Sequence, residues 1–533
     1  MQFDRGYLSP HFVTDPDRMK VWLDIVRSPT MYRFIPALSV IRFPGGGEGV
    51  HVLRRDFIKT SLSVSAMAAV PAQRALSSMS ETITKDAAAV NVLLWFDTED
   101  YINPEADDAA LRIAKDLSEE NVPATFKIVG QMARMLEVRG RHDVIEALRR
   151  HDIGYHSDWH SLHPVPAEYL EPLGYLEGAD EFQRREASGV ADVARIFRTH
   201  PSCYGQPGFS WAPQPNLALR RLGIPVYLDH ANHIGIHDQP FYLSHLFYVL
   251  KMGNNYIRPS FTDLSVNAQI LESASETMSR LSRNGGGTMT TWIHPNECVE
   301  TEFWDAINFN RGATPPPDKW IRAKMRTRTE SEACYRTLRD FVLHLKANPN
   351  VRWLTASEVF RVYEGPIPPS ISPEVAAKHF QQGVTFLETP NGHLSAAEVL
   401  VQMFGLGIDY VDGPTSRGET TYPADSIPGY LWEAAKREFA DSVRKSGRLP
   451  AQLYLGPQSI SLADFAATAA LALLVPEGKV KLKRGDLVFE HYVSTDTEGP
   501  FRWGIHAIDF SGPHILELTR LQAWTLKPAK LRQ

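Results

Sequence analysis

Residues 90–100, VNVLLWFDTED, are a nearly continuous apolar run that ends in acidic side chains. A strand of a parallel sheet has this pattern because both of its faces are buried. Strand and helix patterns then alternate along the chain as far as residue 355. The predicted helices span 106–121, 143–151, 180–198, 216–222, 267–282 and 330–346, and the further strands span 123–129, 153–156, 202–205, 225–229, 288–293 and 351–355. Repeated βα units predict a parallel sheet, open or closed into a barrel, with its chemistry at the carboxyl ends of the strands.

The composition argues against several classes of function. A chain of 533 residues is too long for one ordinary domain, and its 43% of hydrophobic residues can bury a large core. The formal net charge of −6 gives no basic field that would concentrate nucleic acid at the surface. No uninterrupted apolar run reaches the roughly 18–20 residues that span a bilayer. We therefore expect neither a nucleic-acid partner nor an integral membrane span.

The N-terminal region contains a segment, residues 52–72, that resembles a twin-arginine signal peptide. Residues 53–59 read LRRDFIK and are followed by a short, mildly apolar stretch and small residues. The resemblance implies a partner, the twin-arginine export machinery, and a periplasmic or extracellular location. Because such signals begin a chain, we expect residues 1–51 to be a mis-annotated extension. Residues 73–88 would then be a linker.

Acidic and histidine side chains follow three of the predicted strands. They are Asp97, Glu99, Asp100, His156, His160, His163 and His294. Two histidines four residues apart share one face of a helix and can hold one ion, and a carboxylate from a neighbouring strand completes a two-histidine, one-carboxylate metal site. A second carboxylate would deprotonate water there, and a histidine on the far side would protonate the departing group.

The chain from about residue 90 to residue 364 resembles the polysaccharide deacetylase family, which includes chitin, xylan and peptidoglycan deacetylases. The stretches that carry the resemblance are 96–100, 122–130, 151–160, 293–294 and 351–358. The family implies a distorted (β/α)7 barrel, which we expect to occupy residues 89–366.

The resemblance also implies a role for individual residues. Asp97 would be the general base and His294 the general acid. The ligands of a divalent metal, with Zn²⁺ preferred, would be Glu99, His156 and His160, with Asp100 and His163 as alternatives. The loop after the fourth strand would place a backbone N–H near Phe209 against the oxyanion. Apart from the resemblance, the aromatic ring of Trp211 would suit stacking on a sugar of the substrate.

Two departures from the family pattern affect these roles. The family often has adjacent aspartates in its first motif, whereas this chain has Asp97, Glu99 and Asp100. The family's third motif carries an arginine just before a proline, and this arginine holds the base. Residues 204–209 of this chain read YGQPGF, without an arginine. The usual support of the base is therefore missing.

A proline-rich stretch separates the barrel from the C-terminal region, and we expect a linker at residues 367–376. The segments that open at Ser395 and Ser461 have the pattern of capped helices. Residues 479–493, 503–510 and 515–524 have strand-like patterns. We therefore expect residues 377–533 to form a smaller, mixed α/β domain that binds substrate or cell wall.

Together these inferences predict a metal-dependent hydrolase of non-peptide carbon–nitrogen bonds. It would remove N-acyl groups, such as acetyl, from an amino-sugar polymer by attack of a metal-activated water. Two alternatives remain open. The same barrel would serve for hydrolysis of a small amide or cyclic imide, or the chain would be a glycan-binding protein that does no chemistry.

Overall fold

The computed structural model describes residues 88–475 and 479–532 of the chain. The predicted extension at 1–51, the predicted signal peptide at 52–72 and all but the last residue of the linker at 73–88 lie outside the described residues. Their assignment stays a prediction.

Most of the strands belong to one sheet. The strands of this sheet in the N-terminal part of the chain are β1 (Val90–Thr98), β2 (Thr125–Ile128), β3 (Asp152–Tyr155), β4 (Cys203–Tyr204), β5 (Val226–Leu228), β6 (Phe241–Leu243), β7 (Leu246–Val249), β8 (Gly287–Ile293) and β9 (Val351–Leu354). Seven of them form a parallel run in the order β7, β5, β4, β3, β2, β1, β8. Strand β9 is parallel to β1, whereas β6 is antiparallel to β7.

The parallel run curls toward closure. A parallel bridge joins Tyr256, a few residues after β7, to Thr290 in β8. These two strands stand at opposite ends of the run, so the bridge brings its edges together. The predicted fold class, a distorted barrel of parallel strands, is confirmed.

Helices follow the strands and cover the outside of the sheet. They are α1 (Pro104–Glu119), α2 (Gly130–Val138), α3 (His142–Leu148), α4 (Pro166–Leu170), α5 (Tyr175–Phe197), α6 (Pro215–Arg221), α7 (Asn267–Arg283), α8 (Trp304–Asn308), α9 (Arg328–Lys346) and α10 (Val359–Val362). Helix α1 illustrates why they form. It begins with Pro104, and Ala110, Ile113 and Leu117 recur at helical spacing on its buried face.

Strand β1 is an inner strand of the sheet, and every one of its residues is buried. Its partners are β8 on one side and, on the other, β9 beside its first half and β2 beside its second half. The apolar run of the sequence thus matches a strand without an exposed face. This arrangement places the carboxyl end of β1 in the middle of the site described below.

The C-terminal part of the chain is mixed, as predicted. Its elements are α11 (Pro373–Gln382), β10 (Leu387–Thr389), β11 (Gly392–Leu394), α12 (Ala396–Met403), β12 (Ser426–Ile427), α13 (Gly429–Ser446), β13 (Gln452–Leu455), β14 (Gln458–Ser461), α14 (Leu462–Leu474), β15 (Val480–Lys481), α15 (Pro513–Gln522) and β16 (Lys527–Pro528). Ser395 and Ser461 cap α12 and α14 with their side chains, as predicted from their patterns.

Three strand predictions in this part of the chain are wrong. Residues 515–524 lie mainly in helix α15, and residues 503–510 contain no strand. Residues 479–493 contain only the two-residue strand β15, so most of this stretch is not a strand. The apolar side chains of α15, among them Ile515 and Leu518, recur at helical spacing on its buried face, so they fit a helix as well as a strand.

The C-terminal part is joined to the barrel at several points. Strand β16 pairs with β6, so it extends the main sheet. Within the C-terminal part, the ammonium group of Lys527 on β16 lies 2.9 Å from both carboxylate oxygens of Glu398, and this buried ion pair holds α12 to the added strand. Helix α11 begins at Pro373, inside the predicted linker. From Ala88 onward the chain forms one compact unit.

Two further features of the described residues concern the cysteines and the helices. Cys203, Cys298 and Cys334 are buried, and none is in a disulfide. Along the described chain, no helix combines the length and the apolar composition of a bilayer-spanning segment.

Candidate active site and metal centre

The carboxyl ends of neighbouring strands supply the functional side chains. Asp97 lies in β1 and is the register partner of Lys127 in β2, so the two side chains project to the same face. Glu99 follows β1, His156 follows β3 and His294 follows β8. In a parallel barrel these ends meet on one face, where active sites form.

Glu99, His156 and His160, which we call the ligand trio, converge on one point. The Oε2 atom of Glu99 lies 3.2 Å from Nε2 of His156 and 2.9 Å from Nε2 of His160. The three ligand atoms all lie within 4.8 Å of one another, and the three residues are buried. One carboxylate and two imidazoles are a typical donor set for Zn²⁺ and related divalent metals.

The tautomer of His156 supports a cation at this point. Its Nδ1 lies 3.0 Å from the carbonyl oxygen of Gly205, which only accepts hydrogen bonds, so this nitrogen carries the proton. Burial, together with the charge of Lys127, lowers the pKa of His156 to about 4, so the ring is neutral at pH 7. A neutral ring with a proton on Nδ1 presents a lone pair at Nε2, and this lone pair faces the carboxylate of Glu99.

His160 is arranged in the same way. Its Nδ1 lies 2.6 Å from the hydroxyl oxygen of Ser161, and that hydroxyl donates its own proton to Asp305 over 3.0 Å. The Nδ1 atom is therefore the donor, and in the neutral ring Nε2 presents a second lone pair to Glu99. Among the described residues this Nε2 atom has no hydrogen-bond partner. Three acceptors that converge in a buried space fit a bound cation, and the outer contacts orient both rings as in known metal sites.

The conformation of the loop that carries both histidines differs from the one predicted. The residues from His156 to His160 are not helical, although the spacing predicted one face of a helix. Ser157 and His160 have φ values of 64° and 52°, and the hydroxyl of Ser157 accepts a hydrogen bond from the backbone N–H of His160 over 3.0 Å. This tight turn, rather than a helix, brings the two rings together.

The carboxylate of Glu99 has a further partner. The indole N–H of Trp304 on α8 donates to Oε1 of Glu99 over 3.0 Å, which leaves Oε2 toward the two histidines. Burial raises the pKa of Glu99, but the histidines around the carboxylate, His160 and His294 foremost, outweigh burial and hold the pKa well below its usual range.

Asp97 belongs to a second buried cluster, the lysine trio of Asp97, Lys127 and Asp229. The ammonium group of Lys127 lies 3.0 Å from Oδ1 of Asp97 and also forms a short ion pair with Asp229. The side chain of Lys127 is 0% exposed. Burial lowers the pKa of Lys127, but the charges of Asp229 and Asp97 outweigh burial and raise it. Burial raises the pKa of Asp229 to about 7, although Lys127 opposes the shift.

Lys127 supplies the support that the third motif lacks. The expected arginine position is occupied by Gln206, whose side chain donates to the carbonyl oxygen of Gly208 over 3.0 Å. The cation on Asp97 comes instead from the neighbouring strand. The sequence analysis missed Lys127 and Asp229. One signal was present, because a lysine in the middle of the apolar stretch ATFKIV is unusual for a buried strand.

His294 lies on the other side of Asp97. Its Nε2 is 3.9 Å from Oδ2 of Asp97 and 3.8 Å from Oε2 of Glu99. Its Nδ1 is 2.6 Å from Oε1 of Glu297, which in turn forms an ion pair with Arg258. Burial lowers the pKa of His294, but the surrounding carboxylates outweigh it and raise the pKa to about 9. For Glu297, Arg258 and His294 overcome burial and hold the pKa at about 2. Glu297 and Arg258 were not identified from the sequence.

The two alternative ligands have other partners. The carboxylate of Asp100 accepts hydrogen bonds from the backbone of Ile102 over 2.8 Å and from the side chain of Asn103 over 2.7 Å. His163 lies 2.7 Å from Glu168 through Nδ1. Neither Asp100 nor His163 belongs to the group of converging ligand atoms.

The two residues expected near the substrate differ in their surroundings. Phe209, on the loop after β4, is partly exposed, and its ring lies 6.5 Å from that of His230. Trp211 is 0% exposed and lies in the core, with its ring 5.2 Å from that of His233. The prediction that Trp211 contacts substrate is therefore corrected, since an indole packed in the core offers no surface to a sugar.

No family model matches the chain. Several solved structures are similar to about half of it. A protein named as a polysaccharide deacetylase from Mycobacterium smegmatis is 17% identical over 52% of this chain and 92% of its own, with a TM-score of 0.35. A family 4 acetyl xylan esterase from Clostridium thermocellum, solved with a cobalt ion, is 16% identical over 51% and 90%, with a TM-score of 0.28. The allantoinase Puue is 12% identical over 51% and 90%, with a TM-score of 0.34. The function is therefore argued from the site itself.

Proposed function

We propose that the barrel is a metal-dependent hydrolase that removes an acyl group from an amide nitrogen of an amino sugar. One observation carries the proposal: three buried acceptors, on Glu99, His156 and His160, converge beside a second carboxylate and a further histidine. This arrangement contains a site for a divalent cation, a base and an acid within one small space. These are the parts that metal-assisted hydrolysis of an amide requires.

The metal would be held by Glu99, His156 and His160, and the donor set suits Zn²⁺. When bound, such an ion supplies Lewis acidity, which polarises an acyl carbonyl and lowers the pKa of water from about 15.7 toward 7. The protein's part is to orient the ligands. Gly205 and Ser161 hold the outer nitrogens of the two rings, so that both lone pairs stay directed inward.

Asp97 is the general base in this proposal. Lys127 holds its Oδ1 atom at 3.0 Å, so that Oδ2 is left to take a proton from the attacking water. The carboxylate of Asp229 forms the second ion pair with Lys127, so the ammonium group is held between the two carboxylates.

His294 is the general acid. The carboxylate of Glu297 binds its Nδ1, so Nε2 faces the site, where Asp97 and Glu99 lie within 4 Å of it. The surrounding carboxylates favour the protonated ring. A proton on Nε2 is then available to the amine nitrogen, which cannot leave as an anion. The backbone near Phe209 is the proposed donor to the oxyanion.

The test compares substrates and variants under the same conditions. Acetate release from N-acetylated chitooligosaccharides and from peptidoglycan is measured with zinc present, beside the turnover of small cyclic amides. We expect acetate release from a glycan, and about a 10²- to 10⁴-fold loss of kcat in Asp97→Asn with zinc content unchanged. Full activity in Asp97→Asn would remove Asp97 from its role. Turnover of cyclic amides alone would replace the proposed substrate class.

Export is a separate part of the proposal. The segment at 52–72 supports a periplasmic or extracellular location, and sequencing the N-terminus of the mature native protein tests it. An N-terminus near residue 73 is expected. A mature protein that retains residues before 50 would contradict both the export signal and the expected start.

A further inference from the structure

A segment of the C-terminal part crosses the face of the barrel on which the site lies. We call residues 492–506 the covering segment. Its first residues run beside the loop after β5, where Val493 forms an antiparallel bridge with Ile234 and the backbone N–H of Ser494 donates to the carbonyl oxygen of His233 over 2.8 Å. Phe501 is buried, and its ring lies 4.6 Å from that of His233.

The other end of the covering segment is bound to a different part of the barrel. The backbone N–H groups of Arg311 and Gly312 donate to the carbonyl oxygens of Gly504 and Ile505 over 3.1 Å and 2.6 Å. His506 lies 3.3 Å from the carboxylate of Glu168. Because both ends are held by backbone hydrogen bonds, the covering segment is held across this face of the barrel.

Trp503 is the residue of this segment that reaches the ligand trio. Its ring lies 5.4 Å from the ring of His160 in an edge-to-face arrangement. Its indole also packs on the backbone of Gly208, where an added Cβ would lie 2.1 Å from the Cδ2 atom of Trp503. Gly208 has a φ of 51° and directly precedes Phe209. Trp503 therefore stands between a metal ligand and the loop proposed to bind the oxyanion.

The two sides of the site differ in their access to solvent. The side chains of Glu99 and His160 are 1% and 2% exposed, whereas His294 is 14% exposed. Phe303 and Trp292 are partly exposed, and their rings lie 4.8 Å and 4.9 Å from that of His294. The metal ligands are therefore covered on the side of Trp503, whose own ring is partly exposed, and solvent reaches the site on the side of His294. A groove that a long chain passes through would have to be open at both ends.

We propose that Trp503 forms the closed wall of the substrate pocket and restricts the substrate to an N-acylated sugar at a chain end or in a short oligosaccharide. This inference rests on the proposed function and narrows its substrate class. The partly exposed indole offers a flat apolar surface to a sugar ring that enters past His294. The C-terminal part of the chain thus supplies part of the active site itself.

The experiment uses the full zinc-loaded chain and N-acetylated chitooligosaccharides of increasing length. We expect the wild type to free the amine of a terminal sugar, as read by mass spectrometry of the products. Trp503→Ala should raise KM for the shortest substrates about three- to tenfold, the range of one lost aromatic contact, while kcat changes less than about twofold. It should also move deacetylation toward interior sugars. Trp503→Phe should retain the wild-type pattern.

Several results would overturn the proposal. Deacetylation of interior and terminal sugars at equal rates by the wild type is one, and an unchanged KM and product pattern in Trp503→Ala is another. Zinc content and thermal unfolding of each variant show that the fold and the metal centre are intact.

If the wild type releases no acyl group from any glycan, the proposed function fails, and calorimetric binding of the same oligosaccharides then decides. If the oligosaccharides bind Trp503→Ala more weakly than the wild type, the wall at Trp503 is supported. Equal binding to both proteins, or no binding to the wild type, overturns it.

Discussion

Two buried charged clusters lie side by side in the barrel, and they satisfy their charges in different ways. The lysine trio contains its own cation, because Lys127 stands between Asp97 and Asp229. The ligand trio contains a carboxylate and two imidazole nitrogens that converge, and no cation of the described residues lies between them. Buried charges are stable only when they are paired or when they bind a metal. The lysine trio therefore compensates its own charges, whereas the ligand trio needs a cation that the protein must bind from solution.

The largest expected effect comes from breaking the ligand trio. His160→Ala should lower kcat/KM about 10⁴-fold, because a bound metal contributes several kcal/mol to amide hydrolysis. His163→Gln is the matched control, since His163 lies three residues away and outside the converging group. Steady-state kinetics on one glycan substrate measure both variants. A loss of equal size in His163→Gln, with none in His160→Ala, would reverse the ligand assignment.

Removing the cation of the other cluster should affect stability first. Lys127→Met leaves the carboxylates of Asp97 and Asp229 buried without a partner, and the free energy of unfolding should fall by about 3–5 kcal/mol. Urea unfolding followed by circular dichroism measures it. The double variant Lys127→Met, Asp229→Asn should regain part of the loss, because one of the two buried charges is gone. Stability equal to the wild type in the single variant would mean that the lysine trio is not a compensated ion cluster.

Zinc should stabilise the ligand trio and leave the lysine trio unaffected. At a free zinc concentration 100 times the dissociation constant, the free energy of unfolding of the wild type should rise by about 2.7 kcal/mol. His160→Ala should show no comparable rise, whereas Asp229→Asn should respond like the wild type. Thermal unfolding with zinc and with a chelator measures this difference. An equal response in His160→Ala would place the stabilising ion elsewhere.

A smaller effect is expected in the pH dependence of stability. The pKa of Asp229 is raised in the folded protein to about 7, so the folded state binds this proton more tightly than the unfolded chain. The stabilising contribution is complete below the unfolded pKa of about 3.9 and is lost as the pH rises toward 7. Asp229→Asn removes this dependence, which amounts to at most about 1.4 kcal/mol per pH unit. Urea unfolding at pH 5 and pH 7 measures this dependence. If the free energy of unfolding changes by the same amount between the two pH values in wild type and variant, the dependence does not come from Asp229.

The ligand trio was within reach of the sequence because its signals are local. The apolar run of β1 ends directly before Glu99, and His156 follows the short pattern of β3. The geometry between His156 and His160 was not predictable, since the same spacing fits a helix and the tight turn that the structure has. The turn depends on the positive φ values of Ser157 and His160.

Lys127 stands out in its apolar stretch, but the contacts of the lysine trio and of Trp503 were beyond the reach of the sequence for a different reason. Lys127 meets Asp97 only through the register of β1 and β2, and Asp229 approaches from a strand that is not adjacent to either. Trp503 reaches the site from the far end of the chain and begins the stretch 503–510, which was predicted to be a strand and contains none. Local patterns carry no information on these contacts.

The central claim is that Glu99, His156 and His160 bind a divalent cation, and direct measurement of zinc binding tests it most simply. The purified chain is freed of metal and titrated with zinc under equilibrium dialysis, with metal analysis of the protein. We predict about one tightly bound zinc ion per chain in the wild type and in Asp97→Asn, and loss of this site in Glu99→Gln and His156→Ala. A wild-type chain that binds no stoichiometric zinc or other divalent metal, or a site that survives in both ligand variants, would contradict the account.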